Sequence, residues 1–425
     1  MQLYYFLAVI LSLSLGSLPE SDQPIQAALG FSAAIVAVWW ILCGLAVRLV
    51  GGLINRGEVT ADIGYDWFDR QIELLRWFSI GLMVLCLGGF GLGRNLRQLP
   101  WIEHSMVIQS IILLTPGIAM MAGLWAAEYY FAARLGYTRK RLLDGLKYVG
   151  YSFRCNVGWL ILPIMGFMLI ADVFAFSSLS DAVPAWAGWV GVAVLVAAGI
   201  PVLVRRMFPT IPIDTESKAW IQSVLRSAGI CRCKVLMWNT GGQTHNAMIA
   251  GLLGRFRVLL LSDRLVSDLT RPELAMVILH EAAHAKRMHI VLRIAALLPV
   301  WCVGMGIEHW IATNGNGGWV QSWAGTLGNL FSILATVLML RFVSYRSEFD
   351  ADRYACRLAP EVAVQTPDVP ANHDEAKRRL SSALLRVTAH CESARKPTWL
   401  HPSIADRIAA MTPPAGIDFE VAHSR

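Results

Sequence analysis

Long apolar runs broken by short polar stretches set the pattern of this chain. A helix needs about 20 mostly apolar residues to cross a bilayer. Eight runs approach that length: Leu3–Pro19, Ala27–Val47, Trp77–Gly93, Ser105–Ala127, Val157–Phe176, Val183–Val204, Ile290–Ile307 and Trp323–Leu340. Many are dense in Gly, Ala and Ser, which let helix backbones approach closely in lipid. The first run is short, but it has no basic segment before it and therefore reads as an uncleaved span. Two polar pieces remain. Met207 to His289 holds short β-like runs at Lys234–Trp238, Asn246–Ala250 and Phe256–Leu261, separated by Gly241-Gly242 and by Gly251 to Gly254. Phe342 to Arg425 has a helical pattern with a Pro-bearing insertion around Pro360 to Pro370. The chain thus divides into a membrane module (1–206, about six spans), a polar part (207–289), two further spans (290–341) and a C-terminal part (342–425).

Composition supports that division. Hydrophobic residues make up 55% of the 425 and charged residues only 16%, with a mean hydropathy of +0.49; a soluble fold has nowhere to hide so much apolar surface. The net charge of +7 does not imply a nucleic-acid partner, because the basic residues form no stripe interleaved with aromatics. They lie instead in alternate loops: Arg48, Arg56, Arg70 and Arg76 after the second span, Arg134 to Arg154 after the fourth, Arg205 and Arg206 after the sixth; the loops between carry almost none apart from Arg94 and Arg97. With the amino terminus inside, this arrangement obeys the positive-inside rule and puts both polar pieces on the cytoplasmic side. Arg293, in the first turn of its span, is expected to snorkel outward, and Asp172 to lie near the interface. The eight cysteines form no framework, and Cys231 and Cys233, one residue apart, match neither a zinc knuckle nor a redox pair; all read as reduced.

Candidate chemistry lies in the first polar piece. His280-Glu281-Ala282-Ala283-His284 has the H-E-x-x-H pattern. Thr270 with Glu273 forms a capping box, Pro272 suits a first turn, and Leu274, Val277 and Ile278 recur at helical spacing, so a helix is expected from 271 to about 287. On that helix His280 and His284 share a face and can aim at one ion, with Glu281 beside its open side. Catalytic zinc takes three protein ligands and keeps one position open. The competing reading is a pair of core histidines, which leaves the glutamate between them without a partner. For a third ligand, Glu348 and Asp352 stand four residues apart in Glu348-Phe349-Asp350-Ala351-Asp352-Arg353-Tyr354-Ala355. Glu348 could complete a His-His-Glu site and Asp352 could hold a liganding imidazole from behind. From spacing alone an ordinary solvated acidic helix face fits equally well.

With Asn246-Ala247 before them and His401-Pro402 and Arg407-Ile408 after, these motifs resemble, in order, the membrane zinc-peptidase family that contains the CAAX prenyl endoprotease and the HtpX heat-shock protease. The resemblance covers roughly Thr215 to Met411. It implies one Zn2+ per chain on His280, His284 and Glu348, Asp352 as second-shell partner, and Asn246, Ala247 and Met248 in an edge strand that pairs with an extended substrate. His401 and Arg407 resemble the family's carboxy-terminal motif; His401 is expected to stabilise an oxyanion or to rest near the metal, although a surface histidine at a helix start fits as well. The span count matches neither the four-span HtpX pattern nor the seven-span CAAX protease, so no substrate carries over.

The expectation is a mainly α protein: a multi-span helical membrane bundle with a small α+β zincin-like catalytic domain on the cytoplasmic face of a bacterial inner membrane. Glu281 would serve as base in an endopeptidase acting on membrane-associated or misfolded polypeptides. Its partners would be a polypeptide substrate and the bilayer, with no oligomeric state implied. Two alternatives differ in class. An intramembrane site-two-like protease would bury H-E-x-x-H in lipid, against the charges Arg271, Glu273, Lys286 and Arg287 around it. A scaffold or transporter with a structural metal would call for four ligands, preferably thiolates.

Overall fold

In a computed structural model the described residues are 2–96, 102, 104–176, 191, 199–389 and 395–411. They cluster into two compact units: Met1–Val196 with Val300–Ala335, and Ala197–Pro299 with Thr336–Arg425. Among the described residues, six helices are long and apolar enough to cross a membrane: Ile25–Asn55, Ala61–Gly89, Met106–Arg134, Leu142–Phe176, His289–Asn314 and Ala324–Ala363. The first apolar run forms a shorter helical segment, Gln2–Ser17. Most of the Val183–Val204 run falls outside the described residues, apart from its end in the helix Ile200–Met207. These apolar helices make the protein a multi-pass membrane protein with a mainly helical fold.

In the first unit, Trp39, Phe131, Met120 and Leu124 are among the fully buried side chains at the centre of the packing. Arg76 departs from the loop position expected of it. The third apolar helix begins at Ala61, well before the apolar run in the sequence, because polar residues up to Arg76 continue the helix. Arg76 is buried there and pairs with Glu128 of Met106–Arg134. Asp172 is also buried within the protein. Its carboxylate accepts the backbone N–H groups of Met106 and Val107 and the Ser105 hydroxyl, and so caps the positive end of the helix Met106–Arg134. In the last two apolar helices Gly304 and Gly328 permit a close approach. A Cβ on Gly304 would lie 2.9 Å from the Gly328 carbonyl oxygen, and one on Gly328 would lie 2.7 Å from that of Gly304. Both distances are shorter than a carbon–oxygen contact allows.

The second unit holds a four-stranded sheet: β1 (Thr210–Ile211), β2 (Lys234–Trp238), β3 (Ala247–Ala250) and β4 (Val258–Ser262). The order is β1-β2-β4-β3. β4 runs parallel to β2 and antiparallel to β3, with Ile249 opposite Leu259. β4 is apolar at 258–261 and buried at every residue, as suits a central strand. β3 is an edge. Gly251, at φ +105°, turns the chain out of it where a side chain would crowd the backbone of Arg257.

Against this sheet packs the helix Arg271–Lys286. Its Thr270–Glu273 capping box forms, and Ser382 and Arg386 of the helix His373–Val387 bind the other Glu273 oxygen. Ala275, Met276, Ile278, Leu279 and Ala282 are buried with Leu259 and Leu261 of the sheet and with Ala355, Ala359 and Leu380 of two further helices. This helix is apolar on nearly every side, so the layers around it enclose it, and its histidines reach a buried site while its ends stay polar.

Candidate metal centre

His280 and His284 lie one turn apart on the helix Arg271–Lys286, and Glu348 comes from Ala324–Ala363. One donor atom from each lies within 4.8 Å of the other two, and all three residues are buried. His280 Nε2 stands 3.2 Å from His284 Nε2 and 3.6 Å from Glu348 Oε2. His284 Nε2 is 3.4 Å from Glu348 Oε1. Three neutral-N or carboxylate donors converging on one point, with no fourth protein ligand among the described residues, form a set suited to zinc with an open position.

Each imidazole is held by its other nitrogen. His280 Nδ1 is 2.9 Å from Asp352 Oδ1. Asp352, one turn beyond Glu348, is gripped in turn by Arg407, whose Nε and Nη2 donate to its two oxygens at 2.8 and 2.7 Å. A two-toothed contact of this kind fixes the carboxylate in orientation as well as position. Burial opposes charge on Arg407, but Asp352 outweighs it and raises the guanidinium above its ordinary pKa. Burial likewise opposes charge on His280, yet the bond to Asp352 pushes it up to about 10. These anionic surroundings favour a positive charge at the centre of the cluster.

Glu281 faces the sheet edge. Its Oε2 accepts the backbone N–H of Ile249 at 3.0 Å. Burial raises its carboxyl pKa, which the neighbouring His280 partly offsets. His401 brings Nδ1 to 3.2 Å from Glu348 Oε2 while remaining about half exposed. Arg293 reaches toward the cluster from the first turn of its helix. It turns its Nη2 to 3.5 Å from Glu348 Oε1, because the buried carboxylate offers a counter-charge within reach of the first turn.

The structure thus brings together His280, Glu281, His284, Glu348, Asp352, His401 and Arg407. Ala247 and Met248 lie in the edge strand, and Asn246 immediately precedes it, its carbonyl accepting the Ser262 N–H. Alternation along β3 then turns the backbone of Ala247 and Ile249 outward, so Ile249 is an edge residue that sequence reading did not single out. Arg293 and His289 were likewise missed as neighbours of the site, since nothing in their spacing marks them.

A buried H-E-x-x-H pair completed by a distant glutamate, with a carboxylate beside it, forms a candidate metal site. Residues 214–415, just under half of the chain, match peptidase family M48, and that match indicates a protease. The crystal structure of S. mikatae Ste24p is also similar, at 18% identity and a TM-score of 0.45, covering 92% of this chain and 100% of that one. No curated protein matches the chain. The helix that carries H-E-x-x-H is not among the six apolar helices.

Proposed function

We propose that this protein is an integral-membrane zinc metalloendopeptidase that cleaves membrane-associated or misfolded polypeptides on the cytoplasmic side of a bacterial inner membrane. His280, His284 and Glu348 would hold the zinc; Glu281 is the general base. The observation that carries this reading is the convergence of three donors whose outer atoms are already tied to other groups, leaving their inner atoms aimed at one point. When bound there, zinc supplies Lewis acidity, which acidifies water and polarises a carbonyl.

The remaining work falls to the protein. Glu281, buried and held by Ile249 N–H, takes a proton from the attacking water and returns it to the leaving amine. A carboxyl raised by burial suits both directions of that transfer. The outward backbone of Ala247 and the Ile249 carbonyl, whose N–H is taken by Glu281, pair with an extended substrate in the manner of an added strand. His401, half exposed beside Glu348, stabilises the oxyanion. Arg407 holds Asp352, and through it the ring of His280. The alternating basic loops support the cytoplasmic placement.

The test compares proteomes of membranes that contain the parent or Glu281→Gln, together with both purified proteins. The variant should bind zinc, lose cleavage, and cause uncleaved polypeptides to accumulate. Cleavage by purified Glu281→Gln at the parental rate would refute the assignment.

A further inference from the structure

His284 has a support of its own, and it differs from that of His280. Nδ1 of His284 lies 2.9 Å from Nδ1 of His289. His289 Nε2 is 3.1 Å from Asp350 Oδ2, and Arg287 donates its Nε to the same oxygen at 2.9 Å. His289 is 4% exposed. The helix Arg271–Lys286 ends just before it, and Met288, between the two, has a left-handed φ of +53°. A residue with a side chain is rarely held in that conformation, and it persists only where surrounding contacts impose it.

The protons along this line follow from valence. A ring nitrogen that binds a metal carries no proton, and the nitrogen of His284 that faces His280 and Glu348 is Nε2. The proton of His284 therefore sits on Nδ1 and is donated outward. His289 must accept it on Nδ1, which places its own proton on Nε2, aimed at the Asp350 carboxylate. Only this arrangement gives each contact one proton and one lone pair.

We propose that His289 and Asp350 form a positioning relay for zinc, with neutral His289 accepting from His284 and donating to Asp350, while Arg287 holds Asp350. This rests on reading His284 as a zinc ligand. The site then has two outer supports. Asp352 reaches its imidazole directly; Asp350 reaches the other through an intervening ring. Outer partners of this kind orient a liganding imidazole and raise its basicity. His289 and Asp350 are positioning residues, not catalytic ones.

The full-length protein in detergent, stripped by chelation, is titrated with Zn2+ against a competing chelator dye, and its Co2+ form is examined by visible absorption. His289→Ala should weaken zinc binding by about 10- to 100-fold and shift the Co2+ bands. His289→Asn, whose side-chain oxygen can accept from His284, should recover most of the affinity and the parental bands, whereas His289→Lys, which can only donate, should not. Adding Asp350→Ala to His289→Ala should cost little more, since both act through one line. Zinc binding by His289→Ala as tight as the parent's would overturn the relay, and so would Asn and Lys variants of equal affinity. That Asn–Lys comparison decides alone if the alanine variant does not fold. A parent protein that binds no zinc would instead overturn the metallopeptidase reading itself.

Discussion

In the membrane unit, Arg76 and Glu128 form an ion pair among tyrosines, with Tyr148 near the second Glu128 oxygen. In the sheet-bearing unit, His280, Glu348, Asp352 and Arg407 lie in one buried cluster. Both places bury charge, which is unfavourable unless it is paired. The difference lies in where the pairing stops. Arg76 and Glu128 satisfy one another, and the pair reads as a helix-to-helix tie. Around His280 and His284 the outer nitrogens are tied to Asp352 and His289, while the inner nitrogens face each other and Glu348. Charge that is paired on all sides holds structure; charge tied behind and aimed together in front makes a site.

Substitutions can break or sharpen that contrast. The largest effect is expected at Glu281. Changing it to Gln keeps the hydrogen bond from Ile249 geometrically possible but removes the base, so turnover should fall by about 10²–10⁴-fold, with zinc content unchanged by metal analysis. Chelation of the parent should abolish cleavage, and added Zn2+ should restore it; activity that persists in chelator would set zinc aside. Next comes Asp352→Ala. It strands Arg407, which is 8% exposed, and frees the ring of His280. Loss of one partner from a buried pair typically costs about 3–5 kcal/mol, measurable as a lowered unfolding midpoint in detergent, with weaker zinc binding as well. Arg76→Ala should also destabilise, but by less, because Glu128 is about a quarter exposed and can recruit water. Its zinc affinity should equal the parent's, and a loss there would contradict the contrast drawn above. The smallest effect is expected for Arg264→Ala, which removes a partly exposed i,i+4 contact with Asp268. Such pairs contribute under about 1 kcal/mol, so unfolding and turnover should both stay near the parental values.

Much of this was legible in the residues. The helix Arg271–Lys286 was readable from its capping box and apolar spacing, and β2 occupies the span that its composition marked. β3 and β4 shift by a residue or two at their ends, as hydrogen-bonded boundaries do relative to composition. β1, two residues long, carries too little pattern to be seen. Arg76 was misplaced in a loop, since a polar stretch and a polar-faced helical extension look alike until a partner such as Glu128 is known.

The sequence by itself determined what depends on local periodicity: which runs are apolar enough to span, where the H-E-x-x-H helix starts, and that His280 and His284 share a face. Those properties are set by 3.6 residues per turn and by side-chain polarity. Whether Glu348 meets that pair or faces water, whether Arg293 turns inward, and that His289 stands behind His284 were decided only by the tertiary structure. Their partners lie up to 127 residues away in sequence, as with Arg407 and His280. No local pattern encodes a distance across separate helices; packing sets it.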